Sequence, residues 1–177
     1  MAVTENKYQL GTAENQKFLQ DVRDGLLSFG HQFPSPGGSS YYLGDDGTPW
    51  KDRNRETWIT SRMTHVYSIG SMLGHEGSEA LADAALKGLR GELHDDQNGG
   101  WYAGLTKDNE IVPTKQCYAH AFVILAASSG VRHRRTGHRR HHARDAFFHR
   151  RGLLLGATGA GDLLRRAVRW AVRIPDL

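Results

Sequence analysis

The chain has 177 residues and a formal net charge of +4, and the charge divides sharply near residue 130. Residues 1–130 contain 11 Lys and Arg against 16 Asp and Glu, whereas residues 131–177 contain 12 Arg, no Lys and 3 Asp. The acidic first part excludes a uniformly basic nucleic-acid-binding protein. The absence of any run of about 20 apolar residues argues against a membrane-spanning helix. The single cysteine, Cys117, excludes both an intrachain disulfide and a cysteine-based zinc cluster.

The predicted elements alternate between helices and aromatic hairpins. Helices are predicted where apolar residues recur at helical spacing, and hairpins where turn residues separate short aromatic or apolar runs. In chain order the predictions are a helix over 13–29, a hairpin over 40–50, helices over 55–73 and 78–93, a hairpin over 101–112 and a helix over 114–130. This order predicts an all-α repeat whose hairpins gather at one end, and such repeats need several neighbours to bury a continuous core.

The last 47 residues differ in composition from the rest. Residues 131–151 contain eight Arg and five His, and residues 131–145 show no apolar helix face. A short helix is predicted over 162–173, where Leu163, Leu164, Val168 and Val172 recur at helical spacing.

The predicted helix over 55–73 carries a guanidinium on a mostly apolar face. The residues spaced to line that face are Trp58, Arg62, His65, Ile69 and Met72. An arginine among apolar side chains needs a polar partner. Either Arg62 lines a cavity for a hydroxylated or anionic ligand, or it forms an internal Arg–Glu bridge or extends to water. Spacing alone favours the structural alternatives.

The predicted helix over 114–130 begins with Lys115, Tyr118 and His120 close together in sequence. They could bring an ammonium, a phenol and an imidazole to one pocket. The alternative is a packed Tyr118, a solvated Lys115 and a structural His120, and spacing again favours that alternative. The aromatic side chains of both hairpins and of Trp58 suit stacking against sugar rings, but they suit ordinary packing equally well.

Three separated motifs resemble the N-acylglucosamine 2-epimerase family. Residues 55–68 (RETWITSRMTHVYS) are similar to its signature helix, residues 99–103 (GGWYA) to its aromatic hairpin, and residues 115–122 (KQCYAHAF) to its next inner helix. Residues 42–47 (YLGDDG) fit the first hairpin. The resemblance extends from about residue 10 to residue 129. It is closest to the aldose–ketose isomerase branch, which includes sulfoquinovose and mannose isomerases.

The resemblance implies that residues 1–130 form the N-terminal part of an (α/α)6 barrel, or toroid, with short β-hairpins between helices. It implies isomerisation or 2-epimerisation of a monosaccharide through a cis-enediol, in the cytoplasm and without a metal or organic cofactor. Arg62, Tyr118 and Trp58 match substrate-contacting positions of the family. His65 and His120 match no acid–base position and are expected to be structural.

The sequence also departs from the family pattern. The family's acid–base histidines, one of them near an Asn-x-Asn-Met-His motif, have no counterpart here, so the catalytic residues stay unassigned. We therefore predict a truncated chain that is inactive alone and whose incomplete barrel self-associates. Residues 131–177 are interpreted as an Arg/His-rich tail unlike the family, either frameshifted or disordered. The alternative function is a non-enzymatic helical fragment whose tail binds nucleic acid or an anionic surface, and we regard nucleic acid as the weaker prediction.

Overall fold

The computed structural model describes residues 9–137 of the chain, and these residues fold mainly as helices. The elements in chain order are α1 (Ala13–Phe29), β1 (Tyr42–Leu43), β2 (Pro49–Trp50), β3 (Arg55–Glu56), α2 (Thr57–Met72), α3 (Ser78–Arg90), β4 (Gly104–Leu105), β5 (Ile111–Val112) and α4 (Cys117–Gly137). The predicted order of helices and hairpins is confirmed. The helix predicted over 162–173 and most of the Arg/His-rich tail lie outside the described residues.

The bounds of α1 agree with the prediction because both ends carry local signals. The side chain of Thr12 accepts a hydrogen bond from the Asn15 N–H at 3.1 Å, which caps the first turn. Gly30 follows the last residue, and its N–H bonds to carbonyls of the final turn. A row of apolar side chains on α1 is nevertheless exposed: Leu19, Val22, Leu26 and Phe29. The predicted self-association of such exposed faces stays a prediction.

Helix α2 lies at the centre of the fold and packs against both α3 and α4. Its buried face consists largely of small hydroxyl side chains rather than large apolar ones. The hydroxyls of Thr60, Ser61 and Thr64 donate to backbone carbonyls one turn earlier, at 2.8–3.0 Å. Because these groups are satisfied within the helix, they can be buried at little cost. The side of α2 predicted as its apolar face is therefore the outward one, where every member from Trp58 to Met72 is exposed or half-buried.

Two clusters of buried side chains form the core. The cluster between α3, α4 and the second hairpin contains Leu89, Leu93, Trp101, Leu105, Val123 and Ala126. The cluster between α1, α2 and α3 contains Leu27, Phe33, Tyr67, Ala82 and Ala85. In the second cluster the Tyr67 hydroxyl donates to the Leu27 carbonyl at 2.8 Å, which ties α2 to the end of α1.

The start of the predicted helix over 55–73 is wrong by two residues. Residues 55–56 form strand β3, which pairs antiparallel with β4 and adds a third strand to the second hairpin. The Thr57 N–H then donates to the Ala103 carbonyl at 3.0 Å, and the Thr57 hydroxyl donates to the Tyr102 carbonyl at 2.6 Å. These partners lie more than 40 residues away, so helical periodicity could not indicate them.

The predicted end of the fourth helix at residue 130 is also wrong, because α4 continues through Gly137. Gly130 does not end α4; it lies where α4 closely approaches α3. A Cβ at this position would lie 3.2 Å from Leu86 Cδ1 on α3. The missing side chain therefore allows α3 and α4 to approach each other. No helix in the described residues combines the length and apolar character that crossing a bilayer requires.

Candidate functional site

Three aromatic rings from two helices meet on an exposed surface, which we call the aromatic corner (Trp58, Tyr118 and Phe122). Tyr118 and Phe122 are one turn apart on α4, and their ring centroids lie 4.9 Å apart. The Trp58 ring on α2 lies 5.8 Å from Tyr118 and 6.5 Å from Phe122. The packing of α2 against α4 brings the rings together. Tyr118 remains 55% exposed, so part of the residue is accessible to a ligand.

Arg62 lies beside the aromatic corner, one turn after Trp58. Its Cζ atom is 4.9 Å from the Trp58 ring and 4.7 Å from the Phe122 ring, which places the guanidinium in cation–π contact with both. Arg62 is exposed and makes no ion pair with a carboxylate among the described residues. The alternative prediction, an internal Arg–Glu bridge formed by Arg62, is therefore wrong among the described residues.

The structure brings together the three residues predicted to contact substrate, namely Arg62, Tyr118 and Trp58. Their roles remain predictions, but their placement on one surface is a fact of the fold. Phe122 belongs to the same surface and was not predicted from the sequence. The signal that could have found it is its separation of four residues from Tyr118, which places both rings on the same face of α4.

The first hairpin is fastened to the start of α2, close to Trp58 in sequence. The Tyr42 hydroxyl donates to the Glu56 carboxylate. Burial, together with this carboxylate, raises the pKa of Tyr42 to about 12, so the phenol stays neutral and keeps its donor proton. Between β2 and β3, the Cζ atom of Arg53 lies 4.1 Å from the Trp50 ring.

His65 joins α2 to α4. Its Nδ1 lies 2.6 Å from the Ser129 hydroxyl, and that hydroxyl donates to the Leu125 carbonyl at 3.0 Å. Because the Ser129 proton is already engaged, the geometry assigns the proton between Ser129 and His65 to Nδ1. The imidazole thus links two helices, in agreement with the structural role predicted for it.

His120 is buried and has backbone partners on both ring nitrogens. Nε2 accepts from the Trp101 N–H at 3.0 Å, and Nδ1 donates to the Gln116 carbonyl at 2.8 Å. Burial lowers the pKa of His120 below its ordinary value of 6.5. The imidazole is therefore neutral at pH 7 and holds the second hairpin against α4. The structural expectation for His120 agrees with this geometry.

The buried, neutral His120 predicts a specific loss of stability in mild acid. Its folded-state pKa lies below its unfolded-state pKa, so the unfolded chain binds a proton more readily. This contribution to stability is complete above about pH 6.5 and declines as the pH falls through the lowered pKa. Melting temperatures between pH 7.5 and 5 should therefore fall less steeply in His120→Gln than in the wild type. Parallel melting curves for the two proteins would contradict the assignment.

Lys115 fastens the turn before the second hairpin. Its Nζ lies 2.7 Å from Asp95 Oδ2 and 2.5 Å from the Gly99 carbonyl, and its side chain is only 19% exposed. The Lys115 ammonium and the N–H groups of Asn98 and Gln97 hold the pKa of Asp95 far below its usual range. A solvated Lys115 is therefore wrong, since the ammonium is bound to Asp95 and to the Gly99 carbonyl.

A separate cleft of about 620 Å³ lies between the end of α1 and the turn joining α2 to α3, and none of the predicted site residues lines it. Two of its side chains, His31 and His75, have ring centroids 5.6 Å apart. Within residues 9–137 no group of three or more His, Cys, Asp or Glu side chains is arranged to hold a metal ion. We assign no metal or cofactor ligand among residues 9–137.

The family model for N-acylglucosamine 2-epimerase (GlcNAc 2-epimerase) matches residues 37–151, well over half of the chain. The chain belongs to this family. The matched segment contains the aromatic corner, Arg62 and both hairpins. It also extends beyond residue 130, where the sequence predicts that the barrel part ends, and the division into two parts stays a prediction.

Individual members of the N-acylglucosamine 2-epimerase family are similar to the chain over part of their length. A D-mannose isomerase of Thermobifida fusca is 36% identical over 120 residues, which cover 67% of the chain and 30% of that enzyme. A D-mannose isomerase of Pseudomonas cannabina pv. alisalensis is 44% identical over 75 residues, or 42% of the chain and 18% of that enzyme. The chain therefore spans less than a third of either relative.

A solved structure shows the same fold. The cellobiose 2-epimerase of Bacillus thermoamylovorans B4167 superposes with a TM-score of 0.62 at 21% identity, and the match covers 87% of the chain and 36% of that protein. That enzyme is an (α/α)6 barrel, so the prediction that the chain forms part of such a barrel, with short strands between helices, is confirmed.

Proposed function

We propose that the chain is part of a monosaccharide isomerase or epimerase and that the aromatic corner, with Arg62, forms one wall of the sugar site. One observation carries the proposal. The Arg62 guanidinium, which has no carboxylate partner among the described residues, lies against two rings on an exposed surface of α2 and α4. Membership of a sugar isomerase and epimerase family supports the same conclusion.

The chemistry of this surface suits a sugar. The C–H faces of a pyranose ring pack against aromatic rings such as those of Trp58 and Tyr118. Sugar hydroxyls accept hydrogen bonds from charged donors, and Arg62 presents several N–H groups in a rigid plane. An anionic substituent on the sugar would be bound by the same donors. Apolar stacking and polar donors are thus available within one small surface.

In the proposed isomerisation a proton moves between C2 and C1 of the sugar through a cis-enediol, and in a 2-epimerisation it returns to C2 on the opposite face. Either reaction requires an acid–base pair. His120 is unsuited to that role, and His65 matches no acid–base position of the family. Both ring nitrogens of His120 have backbone partners, and His65 uses its Nδ1 to link α2 to Ser129 on α4. We infer that this part of the chain binds and orients the sugar and that the acid–base pair belongs to the part of the family domain that the chain does not span.

Replacement of Tyr118 tests the binding surface. D-mannose should bind the wild type with a Kd of roughly millimolar order, as expected for a small ligand in an incompletely enclosed site. Tyr118→Leu should weaken binding about 2–10-fold, because an aromatic contact contributes about 0.5–1.5 kcal/mol beyond its area. Ile111→Ala on β5 is a matched control, since Ile111 is 51% exposed. Equal Kd values for wild type and Tyr118→Leu would refute a contact with Tyr118.

Turnover by the purified chain tests the assignment of the acid–base pair. We expect no conversion of D-mannose to D-fructose above the uncatalysed background. If D-fructose formed, and if Arg62→Met abolished its formation, an acid–base pair would have to lie within these 177 residues. That result would contradict the proposal that this chain only binds and orients the sugar.

A further inference from the structure

Phe122 lies outside the buried face of α4. That face includes the buried side chains of Ala119, His120, Val123, Ala126, Ala127 and Ser129. The Phe122 side chain is half-buried, and its ring meets Tyr118 at 4.9 Å and the Arg62 guanidinium at 4.7 Å. Its contacts are therefore directed towards the exposed site on α2 and α4.

The position of Phe122 complements that of Trp58. Arg62 Cζ is 4.9 Å from the Trp58 ring and 4.7 Å from the Phe122 ring, while the two rings are 6.5 Å apart. These distances place the rings on adjacent sides of the guanidinium, not on opposite sides. Trp58 comes from the same helix as Arg62, whereas Phe122 comes from α4. The long arginine side chain is thus held from two directions, and its remaining sides stay open.

We propose that Phe122 is a positioning residue that holds the Arg62 guanidinium against the aromatic corner so that its N–H donors face the ligand. A flexible arginine loses side-chain entropy when it binds, and a side chain already held in place loses less. The inference rests on the proposed function in one respect: the N–H donors of Arg62 are taken to bind oxygens of a sugar or an anion. The positioning itself can be measured without any ligand.

NMR spectroscopy tests whether Phe122 positions the Arg62 guanidinium or only covers it with an apolar side chain. The NMR signals of the Arg62 Nε–Hε group can be identified by their loss in Arg62→Lys. Phe122→Leu keeps an apolar side chain but removes the ring, so the ¹⁵N order parameter of this group should fall towards that of a freely moving side chain. Phe122→Tyr restores the ring and should keep the wild-type value, and Ile111→Ala should leave it unchanged. Identical Arg62 Nε order parameters in wild type and Phe122→Leu would overturn the proposal.

Binding measurements with inorganic sulfate and D-mannose complete the test. Phe122→Leu should raise the Kd for both probes about 2–5-fold, the size expected for loss of one exposed cation–π contact, whereas Phe122→Tyr should restore it. Equal Kd values for wild type and Phe122→Leu would overturn the positioning role. A wild-type chain that bound neither probe would contradict the proposed function, and the Arg62 signals would then still decide whether Phe122 positions the guanidinium.

Discussion

Arg62→Met should weaken D-mannose binding by about 10–100-fold, because each hydrogen bond from a charged donor contributes about 1.5–3 kcal/mol. Methionine retains an unbranched side chain beside Trp58 and Phe122 but provides no N–H donors. The melting temperature should change little, since Arg62 is exposed and forms no ion pair among residues 9–137. Titration calorimetry and thermal melting of the same preparations measure both quantities.

Arg62→Lys is the informative control for this prediction. Lysine keeps the positive charge but lacks the planar fork that binds two oxygens at once. Its Kd should therefore fall between those of the wild type and Arg62→Met. If Arg62→Met bound D-mannose as tightly as the wild type, the arginine would not contact the sugar. If its melting temperature fell sharply, Arg62 would have a structural role that the described contacts do not show.

Gly88→Ala should destabilise the fold by about 3 kcal/mol, near the upper end of overpacking effects. Gly88 lies on α3 against the loop after α1, and an added Cβ would come within 2.5 Å of both Gly38 C and Ser39 N. Both neighbours are backbone atoms of an anchored loop, because the Ser39 N–H and the Ser35 hydroxyl donate to the Glu92 carboxylate. The loop cannot yield without losing those bonds.

Gly25→Ala should have the opposite effect to Gly88→Ala and stabilise the protein. Gly25 lies in the middle of α1 and is exposed, and a Cβ added there would meet no atom of another element within 4 Å. Alanine should stabilise this helix by about 0.5–1 kcal/mol, because glycine loses more backbone entropy on folding. Urea unfolding of the two variants gives both values. A loss of stability in Gly25→Ala, or none in Gly88→Ala, would contradict the packing described for α1 and α3.

Local signals in the sequence were sufficient for the order of the elements, for both bounds of α1 and for both hairpins. Helix α3 ends three residues earlier, and α4 begins three residues later, than predicted. Thr12 and Gly30 mark the ends of α1 in the sequence itself, and the structure places them there. Strand β3 exists because residues 55–56 pair with the second hairpin, and Gly130 lies within α4 against Leu86 instead of ending the helix. Neither contact leaves a periodic signal.

Only part of the candidate site could be predicted from the sequence. Spacing correctly placed Trp58 and Arg62 on one face of α2, but it could not show that the opposite, hydroxyl-rich face is the buried one. The ammonium of Lys115 is bound by Asp95, 20 residues earlier, and spacing within one helix cannot indicate such a partner. Phe122 was overlooked because an aromatic residue at helical spacing usually belongs to a core.

Chemical-shift mapping during a D-mannose titration tests the central claim, that the aromatic corner and Arg62 bind a monosaccharide. We expect the signals of the Trp58 indole N–H, the Arg62 Nε–Hε group and the Tyr118 ring to shift together with one saturable Kd. The cleft containing His31 and His75 serves as an internal reference and should not respond. Saturable shifts at that cleft, with unchanged signals from Trp58, Arg62 and Tyr118, would contradict the claim.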